Sequence, residues 1–281
     1  MIIASDDRSG LSKYDFSNTT ILHLLRKEKL SFHQVCTFPY NILVLVTESS
    51  GENLSSMEGK DQKFHFTLKK DHFYFIPAGH TVEYDLNKDI FYYTFHVGFE
   101  VYPGLDLYSV QEKCIEGDGF SLIREMDEIW KEEDSLRKGC LIRKFLLQFF
   151  LEHWPEHEYF SRNIPEEFRE LPAFLLERGN AEWTVEKTAR KMGLSTDTFT
   201  RKFHKYFGIT PKKYLSNLLL RKVSALLSRE DMTLRKAAGI LGMSSEFYLS
   251  RFIRKKTGIS AGNYRKQLLL FPGNYPQKIK Q

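Results

Sequence analysis

From Ile21 onward the apolar residues recur at every second position, and Tyr40 to Thr47 is a continuous apolar run suited to a buried strand. Phe64, Phe66 and Leu68 alternate with His65 and Thr67; Phe91, Tyr93, Phe95 and Val97 alternate with Tyr92, Thr94 and His96. Gly51-Glu52-Asn53 supplies a turn and Asp118-Gly119 closes the region, while residues 1 to 19 are polar and turn-rich, as in a loosely held arm. Short strands separated by Gly and Pro turns predict a small antiparallel barrel or sandwich.

After Gly119 the period changes. Phe120 to Asp134 is amphipathic, with Leu122, Ile123, Met126, Ile129 and Trp130 on one stripe. Leu141 to Trp154 is apolar on more than one side, so it must be covered by the barrel, its neighbour or a second subunit. Pro155 ends that helix, 155 to 165 reads as a linker, a helix over 166 to 178 follows, and the tail after Pro272 is expected to fray.

Residues 183 to 214 then carry a plan that repeats at 233 to 264. Thr184 caps a short helix with Val185, Ala189 and Met192 on one face, Gly193 allows a left-handed turn, and Ser195 caps a second helix. That second helix holds Phe199 and Phe203 inside, with Thr196, Thr200, Arg201, Lys202 and Lys205 outside. Two short helices joined at a glycine, the second basic outside, describe a helix-turn-helix. In the repeat, Arg201, Gly208 and Tyr214 recur as Arg251, Gly258 and Tyr264, each displaced by fifty. Between the copies Lys212 to Ser228 reads as one helix, opened by Thr210-Pro211, with Tyr214, Leu215, Leu218, Leu219, Val223 and Leu226 buried. It is long enough to hold two recognition helices about 34 Å apart, one turn of DNA.

These residues resemble the AraC/XylS family of transcriptional regulators over roughly residues 165 to 267. The matching pieces are Ala189, Gly193, Leu194-Ser195, Phe199-Thr200-Arg201, Phe207 to Pro211 and Tyr214. In the second copy they are Gly242, Ser244, Tyr248, Ser250-Arg251-Phe252, Lys255, Gly258-Ile259-Ser260 and Tyr264-Arg265. Leu219, Met243, Ile253 and Ala261 depart from the family's usual Arg, Phe, Phe and Pro. Asp71 to His80, with its Pro77, Gly79 and His80, is similar to a turn of cupin-like sensor domains. The resemblance implies an α+β chain of two domains: an N-terminal antiparallel β-barrel (cupin-like) with following helices, and an all-α C-terminal domain with two helix-turn-helix units joined by a long helix. The expected boundaries are 1–110 for the effector-binding barrel, 111–163 for a helical dimerisation and linker region, and 164–281 for the DNA-binding domain. The helix-turn-helix units fall at about 184–205 and 233–256.

Charge sharpens this division. Residues 164 to 281 hold 23 Lys and Arg against 10 Asp and Glu, a net +13, whereas residues 1 to 163 hold 18 against 26, a net −8. Only the C-terminal part suits a polyanion. Cys36, Cys114 and Cys140 have no Cys-x-x-Cys spacing and read as free thiols. The polar Ser5-Asp6-Asp7 following Met1-Ile2-Ile3 lacks the pattern of a signal peptide, and the longest apolar run is too short to span a bilayer, so a cytoplasmic location is expected.

Arg201 and Arg251 are the first candidates for reading guanine or holding phosphate; the alternative is a solvated or internally paired arginine. The resemblance adds Thr196, Asp197 and Thr200 in the first unit and Ser245, Glu246, Phe247 and Ser250 in the second as base-facing positions. Asp197 and Glu246 either accept from cytosine N4 or favour the helix dipole; Phe247 either packs on a thymine methyl or is buried. Lys202, Lys205, Lys255 and Lys256 are expected to hold phosphates or to be plain solvated charge. His65, His80 and His96 lack the His-x-His spacing of metal-binding cupins, and no catalytic constellation stands out, so neither metal nor cofactor nor enzymatic activity is expected. A small effector, with a carbohydrate as first choice, would find Tyr74, His80, Tyr84, Tyr92 and Tyr93 as polar handles in the barrel, unless these rings are simply core. The expected partners are double-stranded DNA, the effector, a second subunit and, for an activator, RNA polymerase. The rival readings are a cupin-type metal enzyme tethered to DNA and a ligand-independent regulator whose barrel only dimerises.

Overall fold

The computed structural model describes residues 19–27, 32–37, 40–50, 54–60, 64–102, 104–111, 113–154 and 165–269. The expected arm, the turn at Gly51-Glu52-Asn53, most of the linker and the tail after Pro272 lie outside them. The chain divides into two compact units, one built on Ile21–Val97 and Gln111–Glu156, the other on Gly98–Val110 and His157–Gln281.

The first unit is two antiparallel sheets with two helices. One sheet runs β1 (Thr19–Lys27), β8 (Ile90–Tyr102), β3 (Asn41–Ser49), β6 (His72–Ile76), β10 (Ile115–Asp118); the end of β8 beyond Val97, and β9 (Leu105–Asp106) paired to it, belong to the second unit. The other runs β2 (Phe32–Thr37), β7 (Thr81–Leu86), β4 (Ser56–Gly59), β5 (His65–Thr67). Central β3 pairs Leu43 with both Phe75 and Phe95, and every residue from Asn41 to Val46 is buried.

Alternation predicted one apolar face for β8, yet Tyr92 and Thr94 are as buried as Tyr93 and Phe95. The reason is helical cover. Helix α1 (Phe120–Lys131) buries Ile123, Met126 and Ile129, and α2 (Ser135–Glu152) buries Ile142, Phe145, Leu146, Phe149 and Phe150. Phe149 meets Phe73 edge-on at 5.4 Å, Phe145 stacks on Phe95 at 5.6 Å, and Trp130 reaches Tyr93 at 5.6 Å. Helix α2 starts six residues before its apolar run because the Asp134 carboxylate accepts from Arg137 N at 2.6 Å and caps it.

In the second unit the expected helix at 166–178 is two pieces, α3 (Glu166–Arg169) and α4 (Leu171–Arg178). Pro172 lacks the N–H that would continue one helix through it. The repeat follows as α5 (Val185–Lys191), α6 (Thr196–Phe207), α7 (Pro211–Leu227), α8 (Leu234–Ile240), α9 (Glu246–Thr257) and α10 (Ala261–Leu269). Phe168, Phe199, Phe203, Phe207 and Tyr214 stack into the first core, with Phe203 5.2 Å from Tyr214. Leu249, Ile253, Ile259 and Tyr264 fill the second with smaller groups. Helix α7 differs from expectation: Leu215 and Leu219 are half-buried, while Leu220, Lys222, Ser224, Ala225 and Leu227 join its core, because it is packed from more than one side.

Both inter-helix turns place a glycine in the left-handed region, Gly193 and Gly242 at φ +66°, whereas Gly239 sits exposed in helical α8 with open space where a Cβ would stand. Gly239→Ala is therefore expected to raise stability by about 0.5–1 kcal/mol, and Gly193→Ala to lower it by about 1 kcal/mol, both read from urea unfolding. Equal effects of the two changes would contradict the assigned turn geometry.

Candidate functional site

Each helix-turn-helix is set by the same local devices. Thr184 and Thr233 cap the first helices by accepting from Lys187 N and Lys236 N, each at 3.2 Å. Ser195 and Ser245 cap the second by accepting from Thr198 N and Tyr248 N at 3.2 Å. Gly208 and Gly258, at φ +70° and +75°, end α6 and α9. Hydroxyl caps start all four helices at fixed residues, so the outward positions of α6 and α9 correspond one for one.

Arg201 and Arg251 are both exposed, and neither has a hydrogen-bond or ion-pair partner among the described residues. Asp197, Lys205 and Lys255 are exposed; Thr196, Thr200, Glu246 and Ser250 are half-buried; Ser245 stands just outside α9 as its cap. Lys202 is already engaged, donating to Glu167 at 2.8 Å. Lys205 lies 5.6 Å over the Tyr206 ring. Phe247 is not buried: it is 73% exposed. Burial first, then the nearby charges of Lys213 and Lys255, hold Lys256 below the usual lysine range. That crowding of like charge is relieved when a polyanion arrives.

Residues 98 to 110 belong to this unit and grip α7. The Arg221 guanidinium donates to the Glu100 carboxylate, Lys213 Nζ donates to Ser109 O at 3.2 Å, and Leu218 lies against Gly104, where a Cβ would stand 2.5 Å from Leu218 Cδ2. Buried Lys222 donates to Gly179 O, beyond the end of α4, and burial lowers its pKa. No periodicity or spacing pointed to these contacts.

In the N-terminal unit the five tyrosine and histidine handles part company. Tyr74 is fully buried and its hydroxyl is committed, donating to Thr67 O and accepting from Lys69 N, both at 2.9 Å. Tyr84 is buried, and His80 meets the Phe64 ring edge-on at 6.1 Å. Tyr93 donates to Asp127 Oδ1 at 2.6 Å. Tyr92 lines a cavity of about 290 Å³ beside α1, together with Glu48, Asp71, Phe91, Phe120, Arg124 and Asp127. A shallower hollow of about 410 Å³ shares Arg124 and Asp127 and adds Trp130. The α1 residues in these linings lie outside the strand-borne set that the sequence offers. His65 faces Glu58 and His96 stacks on Tyr40. Among the described residues no group of three or more His, Cys, Asp or Glu is placed to hold a metal ion, and no helix is long and apolar enough to cross a membrane. Cys114 is half-buried and Cys140 exposed.

A family profile described as a helix-turn-helix domain matches residues 188–267. The virulence regulon transcriptional activator VirF of Yersinia enterocolitica is 29% identical over 103 residues, 37% of each protein. The raffinose operon transcriptional regulatory protein RafR of Pediococcus pentosaceus is 21% identical over 214 residues, 72% of this chain and 77% of RafR. The first curated relatives are matched over about a third of their length. In fold, the chain is similar to ToxT of Vibrio cholerae, at a TM-score of 0.58 and 9% identity, covering 88% of this chain and 96% of ToxT. ToxT has also been solved with an unsaturated fatty acid bound.

Proposed function

We propose that this chain, whose residues 188–267 match a helix-turn-helix domain, is a sequence-specific transcriptional regulator of the AraC type reading two successive major-groove segments with α6 and α9. The observation that carries the reading is the matched pair of exposed arginines, Arg201 and Arg251, without a partner among the described residues and at the same place in two identically capped helices. A guanidinium held there suits guanine O6 and N7. Thr196, Asp197, Thr200, Ser245, Glu246, Phe247 and Ser250 form the rest of the reading surface. Lys205 and Lys255 hold phosphates, and Lys202 does so after leaving Glu167. Activation is supported by the likeness to an activator such as VirF; contact with RNA polymerase and a cytoplasmic location belong to the same reading.

The N-terminal unit binds a small effector, and the lining of the cavity beside α1 favours a carbohydrate. Glu48, Asp71, Asp127 and Arg124 offer acceptors and donors for adjacent hydroxyls, and Phe91, Tyr92 and Phe120 offer apolar walls. The likeness to the raffinose operon regulator agrees with this. A fatty acid of the kind bound by ToxT suits these walls less, since three carboxylates would face it. The unit also pairs with a second copy through α2. With one face on the sheet, its other face leaves Leu136 78% and Leu151 69% exposed, spaced as a helical stripe with Leu147.

Three outcomes are expected. Arg201→Ala lowers affinity for the selected operator by about 1–3 kcal/mol and relaxes its sequence preference, whereas Lys205→Ala weakens all duplexes alike, both read by fluorescence anisotropy. Equal losses for Arg201→Ala on operator and random DNA would contradict base reading. In a thermal-shift panel of sugars, a true effector at a hundredfold over its Kd adds about 2.7 kcal/mol of stability, and Asp127→Asn abolishes the shift. A panel without any shift removes the carbohydrate. Leu147→Glu with Leu151→Glu converts a sedimenting dimer to a monomer; an unchanged dimer shows that another surface makes the contact.

A further inference from the structure

The two recognition helices share length, caps and core positions, yet several outward places differ in kind, and one of them is an exposed carboxylate in α6 and an exposed phenyl ring in α9. With the displacement of fifty, Asp197 in α6 corresponds to Phe247 in α9, both in the first turn after the capping serine. Asp197 is exposed, and Phe247 is 73% exposed, beside a Tyr248 that is 47% exposed. The phenyl ring has no task inside the protein, since Leu249, Ile253 and Thr257 already fill the inner face of α9. Nor is it suited to the phosphate backbone, because it carries neither donor nor charge. The same helix carries exposed Arg251, Arg254 and Lys255, so the surface that brings a duplex to α9 also brings bases to Phe247. Among the groups that base pairs show in the major groove, the apolar one is the thymine C5-methyl.

We propose that Phe247 is a specificity-determining residue that packs on a thymine methyl, so that the second helix-turn-helix selects thymine where the first, with Asp197 in the equivalent place, selects a base presenting an amino group. The two halves of the operator are then different in sequence although the two reading units are copies. This rests on the DNA-reading assignment made above. It goes further in giving the halves separate chemistry, apolar for one and hydrogen-bonding for the other. Packing the methyl on the ring removes apolar surface of both partners from water, and the gain is lost when the methyl is absent.

The test uses the full chain and the operator recovered by selection from a random duplex pool. Each thymine in the half protected by the second unit is replaced in turn by 2′-deoxyuridine, which keeps base pairing and deletes only the methyl. One or two replacements are expected to weaken wild-type binding about fourfold, the effect of one buried methyl. Phe247→Ala is expected to bind the thymine and uracil duplexes alike, while Lys205→Ala keeps the fourfold difference. Because Phe247 is exposed, its truncation leaves the core intact, which far-ultraviolet circular dichroism checks. A wild-type protein indifferent to every replacement overturns the inference while leaving DNA reading in place. A uracil effect that survives in Phe247→Ala overturns it too, by giving the methyl to another residue. If selection returns no preferred sequence, the DNA-reading assignment itself falls.

Discussion

Burial of α7 from more than one side is the constraint on which the C-terminal unit depends. Tyr214 near its start stacks into the aromatic core of the first helix-turn-helix, at 5.2 Å from Phe203. Near its other end Ser224 meets Tyr264 of the second, oxygen to oxygen at 2.6 Å in the buried interior. Ser224 gives its one proton to Leu220 O at 2.9 Å, so Tyr264 is the donor to Ser224, and burial pushes the Tyr264 hydroxyl up to about 12. A buried hydroxyl pair without this arrangement would leave polar atoms unmet, which is why the contact fixes an orientation as well as adding stability. At 17 residues, the rod is about 25 Å long, and it keeps two short hairpins from turning independently.

That rod is also where residues 98 to 110 attach, through Glu100 on Arg221, Ser109 O on Lys213 Nζ, and Leu218 over Gly104. The chain enters this segment along β8, the strand that carries cavity residues Phe91 and Tyr92.

The reading units were legible because a helix-turn-helix is specified locally. A capping hydroxyl, a glycine four residues past the last buried alanine, and an inner face at helical spacing each act within one or two turns of chain. Arg201 and Arg251 could be named for the same reason, since the cap sets which way every later residue points. Partnering was not legible. Lys202 reads like Lys205, yet it is held by Glu167, thirty-five residues earlier. Phe247 reads as core or surface with equal ease, and only the filling of the inner face by Leu249 and Ile253 leaves it outside.

The N-terminal unit shows the same division more sharply. Period-two alternation located its strands, but it predicted one dry face, and the helices α1 and α2 made both faces dry. Tyr74, Tyr92 and Tyr93 look alike as phenols on neighbouring strands. One is committed to Thr67 O and Lys69 N, one lines the cavity, and one is bound to Asp127. By itself the sequence determined the elements, the duplication and the charge division, because caps, periods and composition act over short stretches. Only the tertiary structure decided which faces are covered and which side chains remain available, because those depend on residues far apart in the chain meeting in space.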